Sequence, residues 1–209
     1  MIANFTEFSR VWSALHGNVA IRGLIAGWLR ISYQIARLCM ALRIGPSVIT
    51  LMGAIAAAAT ALFAPHWWIA PILAFSLICD GVDGSVAIIQ NRVSKMGAVL
   101  DAIADRVAEI FWAVAFYRLG APLTWVLALW LVASLQEYAR ARLASTGSDE
   151  VGIVTPAERP VRASFLFIAI LAWQFRLTHE WVSALAISLT LLQFLSFILV
   201  FGLARKRLA

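Results

Sequence analysis

From residue 46 onward the chain is a succession of long apolar runs broken by short polar links, and the length of each run sets its reading. GPSVITLMGAIAAAATALFAPHWW begins at Pro46, whose fixed φ suits a first helical turn, and stops at Pro65, which predicts a span over 46–64. Further runs predict spans over 68–89, 97–118, 122–139, 163–176 and 181–203. A crossing helix needs roughly 20 apolar residues, and the fifth run is the short one. Residues 22–45 read differently. Arg30, Arg37 and Arg43 recur every six or seven positions among apolar residues, the charged stripe of an amphipathic helix lying in the interface. The other reading of this stretch is a first transmembrane helix with snorkelling arginines. The expected fold is an all-α integral membrane protein, six transmembrane helices preceded by an interfacial amphipathic helix. Its parts are an N-terminal segment over 1–45 and a six-helix membrane domain over 46–209.

Composition agrees: of 209 residues 62% are hydrophobic and 13% charged, too apolar for a soluble domain. The opening MIANFTEFSRVWSALHGNVA lacks a basic stretch followed by an unbroken apolar core, so no cleavable signal is expected. Cys39 and Cys79 stand apart from each other and from the histidines, and read as small buried hydrophobes. In the six-span arrangement fourteen lysines and arginines fall on one side, against Arg118 and Arg176 on the other. The positive-inside rule then places both termini and the polar links after spans two and four in the cytoplasm, with Trp67, Trp68, Trp173 and Trp181 at the opposite interface. The net charge of +6 is accounted for by topology and contact with anionic membrane lipids, with no nucleic-acid surface implied.

Against this apolar background, Asp80–Arg106 stands out. A carboxylate at mid-membrane depth costs roughly 2.5 to 3.5 kcal/mol on insertion scales, and here there are four: Asp80, Asp83, Asp101 and Asp105. Asp80 and Asp83 share one helical face, Asp101 and Asp105 another, and Gly97, Asp101, Asp105 and Glu109 form an i, i+4 stripe. The link 90–95 is short enough for antiparallel neighbours, so both pairs can meet at one depth, and Gly81, Gly84, Ala87, Gly97, Ala98 and Ala102 allow close approach. Converging carboxylate oxygens suit Mg²⁺ or Mn²⁺, and this many acids suit two ions.

The pattern Asp80-x2-Asp83-Gly84-x2-Ala87-x9-Gly97-x3-Asp101-x3-Asp105 resembles the signature of the CDP-alcohol phosphatidyltransferases, departing from it at Ile88, where the family has arginine. The resemblance implies an enzyme of a bacterial cell membrane that moves a phosphatidyl group from CDP-diacylglycerol to a small alcohol acceptor and releases CMP. It also implies a homodimer. By position, Asp80, Asp83 and Asp101 would be metal ligands, and Asp105 would complete the metal site and act as general base. Gly84 would lie against the nucleotide, which Asp80, Asp83 and Ala87 would also line. Pro46-Ser47-Val48-Ile49-Thr50 resembles the family's P-N-x-x-T element, which makes Thr50 a further nucleotide candidate.

The longest polar link, 140–162, carries Arg140, Arg142, Arg159 and Arg162. These are either solvated positive-inside residues or a pocket for an alcohol phosphate, whose geometry guanidinium matches. Tyr138-Ala139-Arg140-Ala141-Arg142 and Glu158-Arg159-Pro160-x-Arg162 resemble the actinobacterial inositol-phosphate branch of the family, which favours inositol phosphate over glycerol phosphate as acceptor. In that branch an acceptor arginine follows a glutamine in the last helix, whereas here Phe194 follows Gln193. Arg106 either pairs with an acid or helps hold the diphosphate. Two other functions fit the residues: a catalytically weak or inactive CDP-diacylglycerol-binding relative, since Ile88 removes a cation, and a cation transporter using the acids as an ion path.

Overall fold

A computed structural model describes residues 4–146 and 154–208. Every described element is a helix: α1 (Phe5–Leu15), α2 (Gly23–Ala41), α3 (Pro46–Phe63), α4 (Ile69–Ile89), α5 (Lys95–Arg118), α6 (Leu123–Ser145), α7 (Arg159–Gln174) and α8 (His179–Leu208). Three of them, Pro46–Phe63, Ile69–Ile89 and His179–Lys206, are long and apolar enough to cross a bilayer. This is a membrane protein. α1 is an element that the apolar runs did not announce. It starts where Asn4 Oδ1 accepts the Glu7 amide at 2.8 Å, satisfying one of the donors a helix N-terminus leaves open. α6 continues six residues past the expected 139, so Arg140 and Arg142 are helical, and α7 starts on Arg159. The middle of the 140–162 link, residues 147–153, lies outside the described residues.

The fold divides into two compact units, Met1–Ile55 with Phe75–Asp105, and Ala56–Ala74 with Arg106–Ala209. In the first, α1 and α2 form a hairpin. Phe8 is wholly buried in a cluster with Leu29, Tyr33, Val86 and Ile88, and Tyr33 meets the rings of Phe5 and Phe8 at 5.6 and 5.3 Å. Burying one such phenyl group is worth about 1.5–3 kcal/mol. α2 lies along one face of α4. Trp28 is seated on Gly81, where an added Cβ would stand 2.5 Å from its Cζ2, and Ser85 Oγ bonds Ser32 Oγ at 3.2 Å. α3 reaches α4 through Gly53, whose carbonyl accepts from Ser76 Oγ at 2.8 Å. Cys39 and Cys79 are free and buried in the same cluster.

The second unit is built on α8, which packs against α6 and α7. Val182, Ala186, Leu189, Gln193, Ser196 and Val200 are its buried stripe, at alternating spacings of four and three that keep one face of a helix inward. Leu191, Phe194, Ile198 and Phe201 are exposed on the remaining surface. Apolar side chains all round mark a helix for which lipid replaces water.

Candidate active site

α4 and α5 deliver the acids within the first unit. Ser94 starts α5, its Oγ accepting the Gly97 amide at 3.0 Å, and this cap fixes the phase in which Asp101 and Asp105 emerge one turn apart. Asp80, Asp101 and Asp105 converge: one oxygen from each lies within 4.8 Å of the others, all at intermediate burial. Oxygens on opposite sides of an ion with bonds of about 2.1 Å are about 4.2 Å apart, so a slight closure would seat a small divalent cation among them. The set is entirely hard oxygen, as Mg²⁺ and Mn²⁺ require. Three carboxylates at this spacing repel, and a cation relieves that repulsion.

Asp83 is the most buried of the four acids and is held differently. Its Oδ2 accepts from Thr50 Oγ1 at 2.5 Å and its Oδ1 from the Gly84 amide at 2.6 Å. The single Thr50 proton also has the Pro46 carbonyl within 3.2 Å, and the carboxylate is the nearer acceptor. Thr50 thus ties the start of α3 to the acid segment, and Asp83 stands outside the converging group. Gly84 is exposed, with nothing within 4 Å of where a Cβ would sit. That leaves room for a ligand to approach the backbone. Ala87 is partly buried one turn on, and Ile88 is buried in the cluster with Phe8 and Leu29.

In the second unit the arginines meet carboxylates that the sequence did not pair with them. Arg162 is 3% exposed. It donates from Nη1 to Glu109 Oε1 at 2.6 Å, from Nη2 to Glu137 Oε1 at 2.8 Å and from Nε to the Ala157 carbonyl at 2.7 Å. Arg106, next in sequence after Asp105, takes Glu109 in a two-pronged pair at 2.6 and 3.1 Å. Arg140 grips Glu158 likewise at 2.5 and 3.1 Å, and Glu158 also accepts the Thr155 amide at 2.7 Å. Burial works to raise the Glu158 carboxyl, but the Arg140 guanidinium and the Thr155 donors outweigh it and hold the group below the ordinary glutamate value. Arg159 lies with its guanidinium 5.2 Å from the centre of the Trp112 ring. Arg142 is exposed and pairs with no carboxylate among the described residues.

Glu109, Glu137, Glu158 and Thr155 therefore hold these arginines within the second unit, a task that sequence reading left unassigned. Arg106–Glu109 and Glu137–Arg140 follow helical spacing and could have been found. Arg162–Glu109 joins residues 53 apart, and no local pattern signals it.

Comparison with known proteins agrees with the acid geometry: residues 43–198 match the profile of the CDP-alcohol phosphatidyltransferases. The chain belongs to that family. It is thus a divalent-metal-dependent phosphotransferase of phospholipid biosynthesis, using Mg²⁺ or Mn²⁺. It is 30% identical over 190 residues to the phosphatidylinositol phosphate synthase of Mycolicibacterium smegmatis, covering 80% of this chain and 83% of that one. The fold is shared with the Mycobacterium tuberculosis phosphatidylinositol phosphate synthase in two crystal structures. The one with CDP-DAG bound has a TM-score of 0.71 at 23% identity, covering 84% of this chain and 94% of that one. The one in complex with manganese and citrate has a TM-score of 0.70 at 22% identity, covering 83% and 88%.

Proposed function

We propose that this phosphatidyltransferase moves the phosphatidyl group of CDP-diacylglycerol to inositol phosphate and releases CMP. The observation that carries the reading is the convergence of Asp80, Asp101 and Asp105 on one cation-sized point in a chain of this family. The acceptor rests on the mycobacterial relatives, which are phosphatidylinositol phosphate synthases, and on the likeness of residues 138–162. Glycerol phosphate is the competing acceptor.

In this reading Asp80, Asp83, Asp101 and Asp105 hold two Mg²⁺ or Mn²⁺ ions, with Asp83 oriented by Thr50. When bound, the ions draw charge from the diphosphate and from the departing CMP phosphate. The Asp105 carboxylate takes the proton of the acceptor hydroxyl, whose oxygen bonds to the phosphatidyl phosphorus as the bond from that phosphorus to the CMP oxygen breaks. Thr50, Gly84 and Ala87 line the nucleotide. Arg142 and Arg159 meet the acceptor phosphate, and Arg140 and Arg162, engaged with carboxylates, brace the same pocket.

The membrane arrangement belongs to the same proposal. A segment over 1–45 precedes a membrane domain over 46–209, α3 to α8 cross the bilayer as six spans, and α2 lies in the interface. Exposed Leu24, Ile31 and Leu38 beside Arg30 and Arg37 support the last point. The basic-residue asymmetry supports cytoplasmic termini and active site in a bacterial cell membrane, and the working unit is a homodimer.

The test is CMP release by purified protein with CDP-diacylglycerol and Mg²⁺ or Mn²⁺, against inositol phosphate, glycerol phosphate, inositol and serine. Inositol phosphate should turn over fastest, and Asp80→Asn, Asp101→Asn and Asp105→Asn should each abolish release while leaving a folded protein. Faster turnover with inositol or serine would refute the acceptor assignment, and normal release by two of the three variants would refute the metal assignment.

A further inference from the structure

The turn that leads into α7 is buried without belonging to a helix: Thr155 and Ala157 are 4% and 0% exposed. Buried backbone donors and acceptors outside a helix need side-chain or water partners. Ala157 is held by side chains on both of its polar groups. Its amide donates to Ser196 Oγ of α8 at 3.0 Å, and its carbonyl accepts from Arg162 Nε of α7 at 2.7 Å. Thr155 is held as fully. Its amide and hydroxyl both donate to Glu158 Oε1, at 2.7 and 2.8 Å. Its hydroxyl oxygen accepts from Gln136 Nε2 and Arg140 Nη2 of α6 at 3.1 and 3.2 Å, which uses all that one hydroxyl offers.

Ser196 is set for its part by its own helix. It is wholly buried, and its single proton goes to the Leu192 carbonyl at 2.9 Å, which leaves the oxygen to accept from Ala157. Two residues beyond Ala157 stands Arg159, the first residue of α7, with its guanidinium 5.2 Å from the centre of the Trp112 ring. Buried Ala163, Leu166 and Ala169 fix the axis of α7 further along. Its first turn has no intrahelical partners for its amides, so the turn before it decides how that end is held. We infer that Ser196 is a positioning residue for the acceptor: by holding the Ala157 amide it keeps the start of α7 in the arrangement that aims Arg159 at the acceptor phosphate. This rests on the reading of Arg159 as an acceptor ligand. α8 carries no basic residue between Glu180 and Arg205, and Ser196 gives this helix a part in acceptor binding through the turn.

The experiment is CMP release by the full-length protein in detergent, with inositol phosphate and CDP-diacylglycerol varied in turn, for wild type, Ser196→Ala, Arg159→Ala and the double variant. Ser196→Ala should raise the inositol phosphate KM about three- to tenfold, the worth of one hydrogen bond. It should leave kcat and the CDP-diacylglycerol KM within about twofold of wild type. Because Ser196 acts through Arg159, the double variant should show no higher a KM than Arg159→Ala alone. Circular dichroism checks that each variant is folded. Where Ser196→Ala is not, Thr155→Val, which frees the turn from α6, decides by the same comparison. An inositol phosphate KM unchanged in Arg159→Ala would refute the acceptor reading, and the inference would fall with it. If Arg159→Ala raises that KM and Ser196→Ala does not, the inference alone is overturned. It is overturned likewise if the two effects multiply, or if Ser196→Ala weakens both substrates equally, since Ser196 would then only brace the fold.

Discussion

Arg162→Met separates a structural arginine from a substrate-binding one. The substitution keeps most of the side-chain volume and removes three hydrogen bonds, to Glu109, Glu137 and the buried Ala157 carbonyl. Breaking a buried ion pair by deleting one partner costs about 3–5 kcal/mol, chiefly through the charge left behind. Here that charge is not abandoned, because Arg106 retains Glu109 and Arg140 stands 3.5 Å from Glu137. The lower end, about 3 kcal/mol, is therefore expected. For a chain of this size each kcal/mol shifts the melting temperature by about 2–4 °C, so the variant should melt roughly 6–12 °C lower. Thermal unfolding in detergent followed by circular dichroism measures this. The cycle with Glu109→Gln should return a coupling of about 1–3 kcal/mol, because both substitutions disrupt one contact. A loss below about 1 kcal/mol, or strict additivity with Glu109→Gln, would refute the reasoning. An unchanged melting temperature with a raised acceptor KM would make Arg162 a substrate ligand instead.

Gly81→Ala should lower thermal stability by about 1–3 kcal/mol through overpacking against Trp28, with Gly81→Ala/Trp28→Leu recovering part of the loss; a neutral single variant would show that Trp28 is not seated there. Glu158 is held below its ordinary value, so its contribution to stability is complete above the unfolded pKa of about 4.3 and is lost as pH falls through the folded one. The melting-temperature gap between wild type and Glu158→Gln should accordingly be widest near pH 7 and close in acid, and a gap that widens on acidification would contradict the Arg140 pairing. Arg142→Ala and Arg159→Ala should raise the KM for inositol phosphate far more than that for CDP-diacylglycerol, since each removes acceptor binding alone; equal losses for both substrates would move these arginines to the nucleotide. Ile88→Arg should destabilise the protein without raising CMP release, because an unpaired guanidinium would be buried against Phe8 and Leu29; faster CMP release would show that this chain lacks the family's cation.

What was legible in the sequence follows from where each signal is stored. α3 and α4 lie within a residue of their predicted bounds because prolines at 46 and 65 punctuate apolar runs, and the acids stood out because their spacing repeats a helical turn inside such runs. α1 carried a signal too. Asn4 followed three residues later by Glu7 is a helix-start pattern, and Phe5, Phe8, Trp12 and Leu15 share a face, but a mixed 11-residue stretch has no run length to draw the eye. The ion pairs of Arg162 were illegible for a different reason. Their partners sit 53 and 25 residues away, and only the folded chain selects them among other equally charged candidates.

The departure at position 88 shows how the two kinds of information combine. Read as a motif, an isoleucine for arginine subtracts a cation and suggests a weakened enzyme. In the structure, α2 covers one face of α4 at regular intervals: Trp28 on Gly81, Ser32 on Ser85, and Leu29 with Tyr33 in the cluster that takes in Ile88. Position 88 is thus one step of an interhelical seam that also buries Phe8 of α1, and the seam asks for an apolar side chain there whatever the chemistry nearby requires. Isoleucine is accounted for by the docking of the N-terminal hairpin, so its presence alone is no argument for lost activity. The acid cluster that the motif also specifies is intact across α4 and α5, with Asp83 still oriented by Thr50, and the capacity to bind metal depends on those oxygens.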